Sequence, residues 1–209
     1  MRKILSGLLF LLSLQGIAQP AGFRAVPNVD DFKKRFSSES ARVISISSDF
    51  RQEKELAALA EKMTSTGKFW FKRSDRVRID YEKPFIYRLI INGDKILLKD
   101  EQKENRVNVK SNKLFQQVNK IMLDCIQGTI LDSKDFTTSV SESDKQYLLQ
   151  MTPVNMTIRD FFSTIDLYVD KADYSASRII MVEPGGDETL LIFTNKQLNK
   201  PMNDEVFAF

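Results

Sequence analysis

The sequence contains no histidine and only one cysteine, Cys125, among its 209 residues. The lack of histidine excludes Ser-His and Cys-His nucleophilic pairs and histidine-ligated metal sites. A single cysteine forms no internal disulfide, so the hydrophobic core has to provide the stability. There is also no Gly-x-Ser-x-Gly motif and no glycine-rich phosphate loop. We therefore expect no enzyme and no cofactor or metal, with a hydrolase built on paired carboxylates as the remaining catalytic alternative.

Long apolar runs are scarce, and the clearest one lies at the N-terminus. Arg2 and Lys3 precede an apolar stretch over residues 4–14, and a small-x-small sequence ends at Ala18. The stretch is too short to span a bilayer as a helix. This arrangement is typical of an export signal, so we predict that residues 1–18 are a signal peptide that is cleaved after Ala18. The remaining protein is expected in the periplasm.

The predicted mature chain, residues 19–209, carries almost no net charge. The whole chain has 31 basic and 28 acidic residues, a net charge of +3. Removal of the two basic residues of the leader leaves 29 basic against 28 acidic residues, or about +1. A nearly neutral chain argues against nucleic acid as a partner. Nothing in the sequence indicates an oligomer, and we expect a monomer.

Period-two alternation of apolar side chains dominates the chain and predicts roughly ten strands. They are expected at residues 42–56, 67–72, 76–82, 85–91, 95–99, 106–109, 135–140, 146–151, 165–169, 178–183 and 189–194. Residues 56–62 (LAALAEK) are locally helix-prone, in conflict with a loop between strands. The pattern predicts a mainly β (α+β) fold, with two or three helices packed on one predominantly antiparallel sheet that is large enough to curl.

Three segments follow a helical pattern. Residues 29–40 place Phe32 and Phe36 on one face, with Asn28 as a candidate N-cap. Residues 157–162 predict a single helical turn. The clearest helix covers residues 112–128, and one wide apolar stripe follows its helical period: Leu114, Phe115, Val118, Ile121, Met122, Cys125 and Ile126. Such a stripe either covers an ordinary sheet core or closes a cavity that opens.

Residues 67–84 (GKFWFKRSDRVRIDYEKP) predict two strands around a short turn. Alternation places one set of side chains on the same face: Phe69, Phe71, Arg73, Val77, Ile79 and Tyr81. An arginine at the end of an apolar face has two interpretations. Arg73 is either a surface charge at a strand end, or a rim residue whose planar fork of donors binds the backbone carbonyls of a covering helix.

The motifs in combination resemble the LolA-like family of periplasmic outer-membrane lipoprotein carriers. They are Ser-Asp-Phe-x-Gln-x-Lys at 48–54, Gly-x-Phe-Trp-Phe-Lys-Arg at 67–73, Arg-x-Asp-Tyr-Glu-Lys-Pro at 78–84, Ile-Ile-Asn-Gly-Asp-Lys at 90–95 and Phe-x-Phe at 207–209. The resemblance spans nearly the whole mature chain. One departure is Ser74, where the family often has proline after the arginine.

The resemblance implies an incomplete β-barrel that a helical lid closes over an apolar cavity. It also implies transport of lipoprotein acyl chains from an inner-membrane ABC exporter to the outer membrane, with Arg73 bonding the lid at the cavity rim. On this basis the expected cavity residues are Phe69, Phe71, Val77, Ile79 and Tyr81 on the sheet and Leu114, Phe115, Val118 and Met122 on the helix. The alternatives are a carrier of another envelope lipid, such as a glycolipid or polyene lipid, and a non-enzymatic envelope sensor or interaction module.

Overall fold

The computed structural model describes residues 20–59, 61–73, 75–109 and 113–209. The predicted signal peptide, residues 1–18, lies outside the described residues and stays a prediction. The helix that begins at Lys113 is described, but the side chains of Leu114 and Phe115 are not among those described. The placement of these two side chains toward a cavity is therefore also a prediction.

Twelve strands in the described part of the chain form one sheet. Their bounds are β1 Arg24–Ala25, β2 Ser45–Leu56, β3 Glu61–Lys72, β4 Arg76–Lys83, β5 Tyr87–Asn92, β6 Lys95–Asp100, β7 Glu104–Asn108, β8 Phe136–Glu142, β9 Gln146–Pro153, β10 Thr164–Asp170, β11 Ala176–Val182 and β12 Glu188–Leu198. Every adjacent pair is antiparallel, as the alternating sequence predicted.

The order across the sheet is β1-β8-β9-β10-β11-β12-β2-β3-β4-β5-β6-β7. The last strand, β12, pairs with β2 from Glu188↔Glu55 to Leu198↔Ile46. This pairing brings an early strand and the last strand of the chain together at the middle of the sheet. The outermost strands, β1 and β7, do not pair with each other, so the barrel is not closed. The open, single-sheet architecture confirms the predicted fold class.

Three α-helices accompany the sheet in the described residues: α1 Val29–Ala41, α2 Lys113–Gln127 and α3 Met156–Arg159. The predicted N-cap is present, because the Asn28 side chain accepts a hydrogen bond from the Asp31 amide at 3.1 Å. Gly128 ends α2 in a left-handed conformation with φ of 71°, as expected for a helix C-cap. Within the described chain, no helix combines the length and apolarity required to cross a membrane.

The helix-prone segment at residues 56–62 does not form a helix. In the described residues β2 continues to Leu56 and β3 begins at Glu61, with these two residues paired across the hairpin. Asp187 accepts a hydrogen bond from the Ala57 amide at 3.0 Å and fixes the turn. Pairing across long strands outweighs a weak local propensity, since propensity is readily overridden by tertiary contacts. The same pairing extends β3 toward the N-terminus, beyond its predicted start at Gly67.

The face of the sheet that the helices cover is called the inner face here, and it carries two hydrophobic clusters. One lies under α1 on β8–β10 and includes Phe32, Phe36 and Leu149. The other lies on β2–β7 and includes Phe50, Phe69, Phe71 and Val77. Helix α2 contacts both, because Ile121 belongs to the first cluster and Met122 and Ile126 pack on the second. A space between the clusters is therefore covered by α2.

The opposite, outer face is partly covered by the C-terminal segment. Phe207 is completely buried against Ile90 and Leu97. Arg78 donates a hydrogen bond to the Val206 carbonyl at 3.0 Å, and its guanidinium lies 5.1 Å from the Trp70 ring centroid. The C-terminal Phe-x-Phe motif thus anchors the end of the chain through its first phenylalanine.

This anchoring predicts that Phe207→Leu lowers the free energy of unfolding by about 1–2 kcal/mol, because a fully buried aromatic ring leaves a cavity. Phe209→Leu is the matched control, since Phe209 is 40% exposed, and its effect is expected below about 0.5 kcal/mol. Urea unfolding followed by tryptophan fluorescence measures both, with Trp70 as the reporter beside the segment. Equal effects of the two substitutions would contradict the anchoring role of Phe207.

Candidate functional site

A cavity of about 350 Å³ lies between the inner face of the sheet and helix α2. Its wall is predominantly apolar, and it combines side chains of both hydrophobic clusters. From α2 it is lined by Val118, Ile121, Met122, Cys125 and Ile126. From the sheet its apolar lining includes Ile46, Phe50, Phe69, Ile79, Leu89, Ile165, Ile179, Met181, Leu191 and Phe193. Its volume is at the lower end of the range for pockets that bind small apolar molecules.

The structure divides the predicted cavity residues into three groups. One group lines the cavity: Phe69, Ile79, Tyr81, Val118 and Met122. Phe71 and Val77 have no exposed surface and lie in the packed cluster beneath the wall, because they sit near the closed end of the β3–β4 hairpin. The third group is Leu114 and Phe115, whose side chains are not among those that the structure describes. Contact of any of these residues with a ligand stays a prediction.

The central strands contribute cavity residues that the sequence patterns did not single out. On β2 the inward positions are Ile46, Ser48, Phe50 and Gln52, and on β12 they include Leu191 and Phe193. Half of the inward positions on β2 are polar, so apolar alternation gives a weak signal there. The pairing of β12 with β2, which brings the two ends of the chain together, is not evident from local pattern.

Arg73 lies at the end of β3 and holds the C-terminal end of helix α1. Its Nε donates to the Val43 carbonyl at 2.9 Å, and its Nη2 donates to the Ser40 carbonyl at 2.8 Å. Carbonyls at a helix C-terminus have no partner within the helix and carry partial negative charge, so a guanidinium is well suited to them. The side chain thus makes the contact with a covering helix that was expected, while its control of opening stays a prediction.

The turn between β3 and β4 also contacts α2. The Gln127 amide of α2 donates to Asp75 Oδ1 at 3.2 Å. Arg76 in the same turn donates to the Arg73 carbonyl at 3.2 Å and pairs with Asp204 of the C-terminal segment at 2.8 Å. A single turn therefore ties together the ends of both helices that cover the inner face.

The two helices meet closely at Gly128. A Cβ atom built on this glycine lies 2.8 Å from the Phe36 carbonyl oxygen, 2.8 Å from Ser40 Oγ and 2.9 Å from Ser37 Cα. Real Cβ atoms essentially never approach other atoms this closely, so only glycine permits α1 to pack on the end of α2. The buried Ser40 hydroxyl has no hydrogen-bond partner among the described residues. The helix that covers the cavity, α2, thus packs on α1 through a glycine, and we call this pair of helices the lid.

Two polar groups in the cavity wall differ in how they are satisfied. Lys196 Nζ contacts Asp170 Oδ2 at 2.6 Å, Ser175 Oγ at 2.7 Å and Asp173 Oδ1 at 3.7 Å. Its charge is therefore neutralised within the protein. Gln52 accepts a hydrogen bond from the Tyr81 hydroxyl at 2.9 Å through its carbonyl oxygen. Burial, and secondarily the nearby Tyr87, raises the pKa of Tyr81, which keeps the donor protonated at neutral pH.

Cys125 lies on the cavity side of α2, and burial raises the pKa of its thiol to about 12. Cys125 is partly accessible and borders the cavity, so a reagent reaches the thiol through the cavity. The thiolate is the reactive species, and a high pKa keeps it scarce at neutral pH. The thiol is thus a natural reporter for access to the cavity.

This predicts that Cys125 reacts with DTNB at pH 8 at least ~100-fold more slowly in the folded protein than in urea. The folded-state rate is expected to rise through pH ~10 without a plateau, because the thiol titrates only near pH 12. Absorbance of the released thionitrobenzoate measures both rates. A rapid reaction that levels off near pH ~9, the range of an ordinary thiol, would contradict the burial of the thiol beneath α2.

An open antiparallel sheet with an apolar cavity beneath helices is suited to binding apolar ligands. The family profile described as outer membrane lipoprotein carrier protein LolA matches residues 41–209. The chain therefore belongs to the LolA family, and it is a lipid- or lipoprotein-binding carrier in that broad sense. A search of curated proteins found no match.

Solved structures resemble this chain at low sequence identity, and the two with TM-scores above 0.5 share its fold. An uncharacterized conserved protein from Thermus thermophilus has a TM-score of 0.53 at 8% identity, over 87% of this chain and 94% of that chain. MucB in the MucA/MucB complex of Pseudomonas aeruginosa has a TM-score of 0.51 at 11% identity, over 86% of this chain and 60% of that chain. A LolA superfamily protein from Nitrosomonas europaea has a TM-score of 0.46 at 12% identity, over 85% and 97% of the two chains.

Proposed function

We propose that the protein carries the acyl chains of lipoproteins across the periplasm, from an inner-membrane ABC exporter to the outer membrane. The observation that carries this proposal is the apolar cavity beneath α2, whose lid is held by hydrogen bonds from Arg73 to α1. Membership of the LolA family supports the same function. The predicted signal peptide agrees with a periplasmic location.

A cavity whose lid closes when it is empty suits a carrier because the ligand has to be released. Burial of each CH₂ group contributes about 0.8 kcal/mol, so an acyl chain of roughly 16 carbons is worth on the order of 12 kcal/mol. A rigid cavity that used all of this energy would hold its ligand too tightly. Opening of the lid consumes part of the binding energy and lowers the net affinity. Carriage of this kind makes and breaks no covalent bond, so no catalytic group is needed.

The first test is the identity of the ligand in the native protein. The mature protein is purified from its own envelope, and co-purifying lipids and lipoproteins are identified by mass spectrometry. We expect acylated lipoproteins in near-stoichiometric amount. A free glycolipid or polyene lipid instead would establish the alternative of a carrier for another envelope lipid. Turnover of an added lipid would point to a hydrolase.

A second candidate function is that of a non-enzymatic interaction module in the envelope. It is favoured by apolar side chains in the β2–β3 turn, in the β4–β5 turn and at the start of α3. Four residues there are more than half exposed: Leu59, Phe85, Ile86 and Met156. Contiguous exposed apolar groups mark binding surfaces, and Phe85 and Ile86 are adjacent in the chain. A purified protein that is empty and also fails to bind an added apolar fluorophore would favour this function over carriage.

A further inference from the structure

Two side chains of β2 that border the cavity, Ser48 and Gln52, have hydrogen-bond donors that no partner uses among the described residues. Gln52 lies in the cavity wall on β2, and the Tyr81 hydroxyl occupies its carbonyl oxygen. None of the hydrogen bonds in the described part of the chain involves the Gln52 amide nitrogen. A glutamine amide has two N–H donors and a serine hydroxyl has one, so Gln52 offers the larger number of available donors in a predominantly apolar space.

Tyr81 fixes the orientation of that amide. Its ring packs edge-on against Phe50, with centroids 5.0 Å apart at 78°, and against Tyr87, with centroids 6.0 Å apart at 60°. The hydroxyl donates to the Gln52 oxygen, and in this arrangement the NH₂ group of Gln52 is turned away from Tyr81. Both N–H donors of the amide therefore stay free of this hydrogen bond.

The chemistry of these donors selects the ligand class. An N–H group in an apolar site binds an acceptor, and an unsatisfied donor left in contact with hydrocarbon costs free energy. A carboxylate is not favoured, because Lys196, the charged side chain in the described cavity wall, is already neutralised by Asp170. A neutral carbonyl next to a hydrocarbon chain satisfies both the donors and the apolar wall.

We propose that the Gln52 amide, oriented by Tyr81, hydrogen-bonds the ester or amide carbonyl of an acyl chain and makes the cavity selective for acyl lipids over pure hydrocarbons and ethers. This inference rests on the proposed carriage of acyl chains and specifies the part of the ligand that the cavity recognises. A polyene or alkyl chain without such a carbonyl leaves the two donors unpaired. Gln52 is thus a specificity-determining residue in a site that otherwise binds by apolar contact.

The test compares two ligands that differ at one group, 1-palmitoylglycerol and its ether analogue 1-O-hexadecylglycerol. Affinity is measured by displacement of a fluorescent apolar probe from the purified mature protein. We expect the ester to bind about 10-fold more tightly than the ether, as one hydrogen bond in an apolar site provides. Equal affinities in the wild-type protein would overturn the inference, and this result needs no variant.

Two variants locate the effect. Gln52→Met, which keeps the length of the side chain and removes both donors, is expected to bind the ester and the ether with equal affinity within about 2-fold, because no donor is left for a carbonyl to satisfy. Tyr81→Phe removes the group that orients the amide and is expected to reduce the preference in part. Retention of the full ester preference by Gln52→Met would assign selectivity elsewhere and contradict the proposal. Circular dichroism melting checks that each variant is folded.

Failure of the role of Gln52 and failure of the proposed function give different results in these experiments. Binding of ester and ether with equal affinity would refute the role of Gln52, but it would remain compatible with a carrier of apolar chains. Failure of both ligands to displace the probe argues against acyl carriage, and with it against the inference. A synthetic lipopeptide with ester-linked palmitoyl chains then distinguishes the source of the carbonyl. Tighter binding of the lipopeptide than of the glycerol ester is expected for a lipoprotein ligand, and the reverse identifies a free glycerolipid.

Discussion

Arg73→Leu is expected to increase retention of a bound apolar ligand by at least ~10-fold and to slow its transfer to acceptor vesicles. The substitution removes the hydrogen bonds to the Ser40 and Val43 carbonyls that hold the end of α1. Hydrogen bonds from a charged group contribute about 1.5–3 kcal/mol each, so two of them stabilise the closed, empty state by about 3 kcal/mol or more. Loss of that stabilisation favours the open state, which binds the ligand.

The measurement has two parts, a fluorescence titration for affinity and a stopped-flow transfer assay to phosphatidylethanolamine/phosphatidylglycerol vesicles for release. Arg42→Leu is the matched control, because Arg42 lies at the end of the same helix but its side chain is 72% exposed and pairs with Glu39 on the surface. Exposed ion pairs contribute little, so the control is expected to behave as wild type. Normal affinity and normal transfer by Arg73→Leu would show that the arginine does not control the lid.

Gly128→Ala is expected to lower the stability of the closed protein by several kcal/mol and to raise its affinity for apolar ligands. The left-handed backbone at Gly128 alone costs about 1–2 kcal/mol for alanine. The added methyl group also overlaps the backbone of α1 at Phe36 and Ser37, which cannot move aside as a flexible side chain could. The helices must therefore separate at this point, and their separation favours an open lid.

Gly93→Ala is the control that isolates the helix contact. Gly93 also has a positive φ, 58°, but a Cβ atom there meets nothing within 4 Å. It is expected to show only the backbone cost of about 1–2 kcal/mol and an unchanged ligand affinity. Thermal melting and the same fluorescence titration measure both variants. If the two alanine variants lose equal stability and bind alike, contact of α1 with α2 at Gly128 does not keep the cavity closed.

Local pattern predicted the elements well where one face of a strand or helix is uniformly apolar. The β3–β4 hairpin, with Phe69 and Ile79 inward, and helix α2, with its stripe from Val118 to Ile126, are examples. Arg73 was also identifiable from the sequence, because its charge interrupts an otherwise apolar face of the strand. Alternation separates inward from outward positions, but it does not separate a packed core from a cavity wall. Phe71 and Phe69 share parity, yet only Phe69 lines the cavity.

Other features depend on contacts between residues far apart in sequence. The partners of Phe207, Ile90 and Leu97, lie on strands from the first half of the chain. The role of Gln52 depends on Tyr81, which is two strands away and reaches it across β3. From sequence alone, Gln52 is a polar residue that weakens the apolar alternation of β2. Its possible role is apparent only when Tyr81 and the cavity are located in the structure. Sequence pattern therefore predicts the sheet, and tertiary pairing determines the site.

The proposed carriage requires acyl chains to occupy the space between α2 and the inner face of the sheet. The most direct measurement is photo-crosslinking of a palmitoyl lipid that carries a diazirine along its chain, followed by peptide mapping with mass spectrometry. The structure predicts crosslinks to cavity residues such as Met122, Ile126 and Phe193, and their loss when unlabelled lipid is added in excess. Crosslinks confined to exposed residues such as Phe85 and Met156, with the cavity unlabelled, would contradict the account.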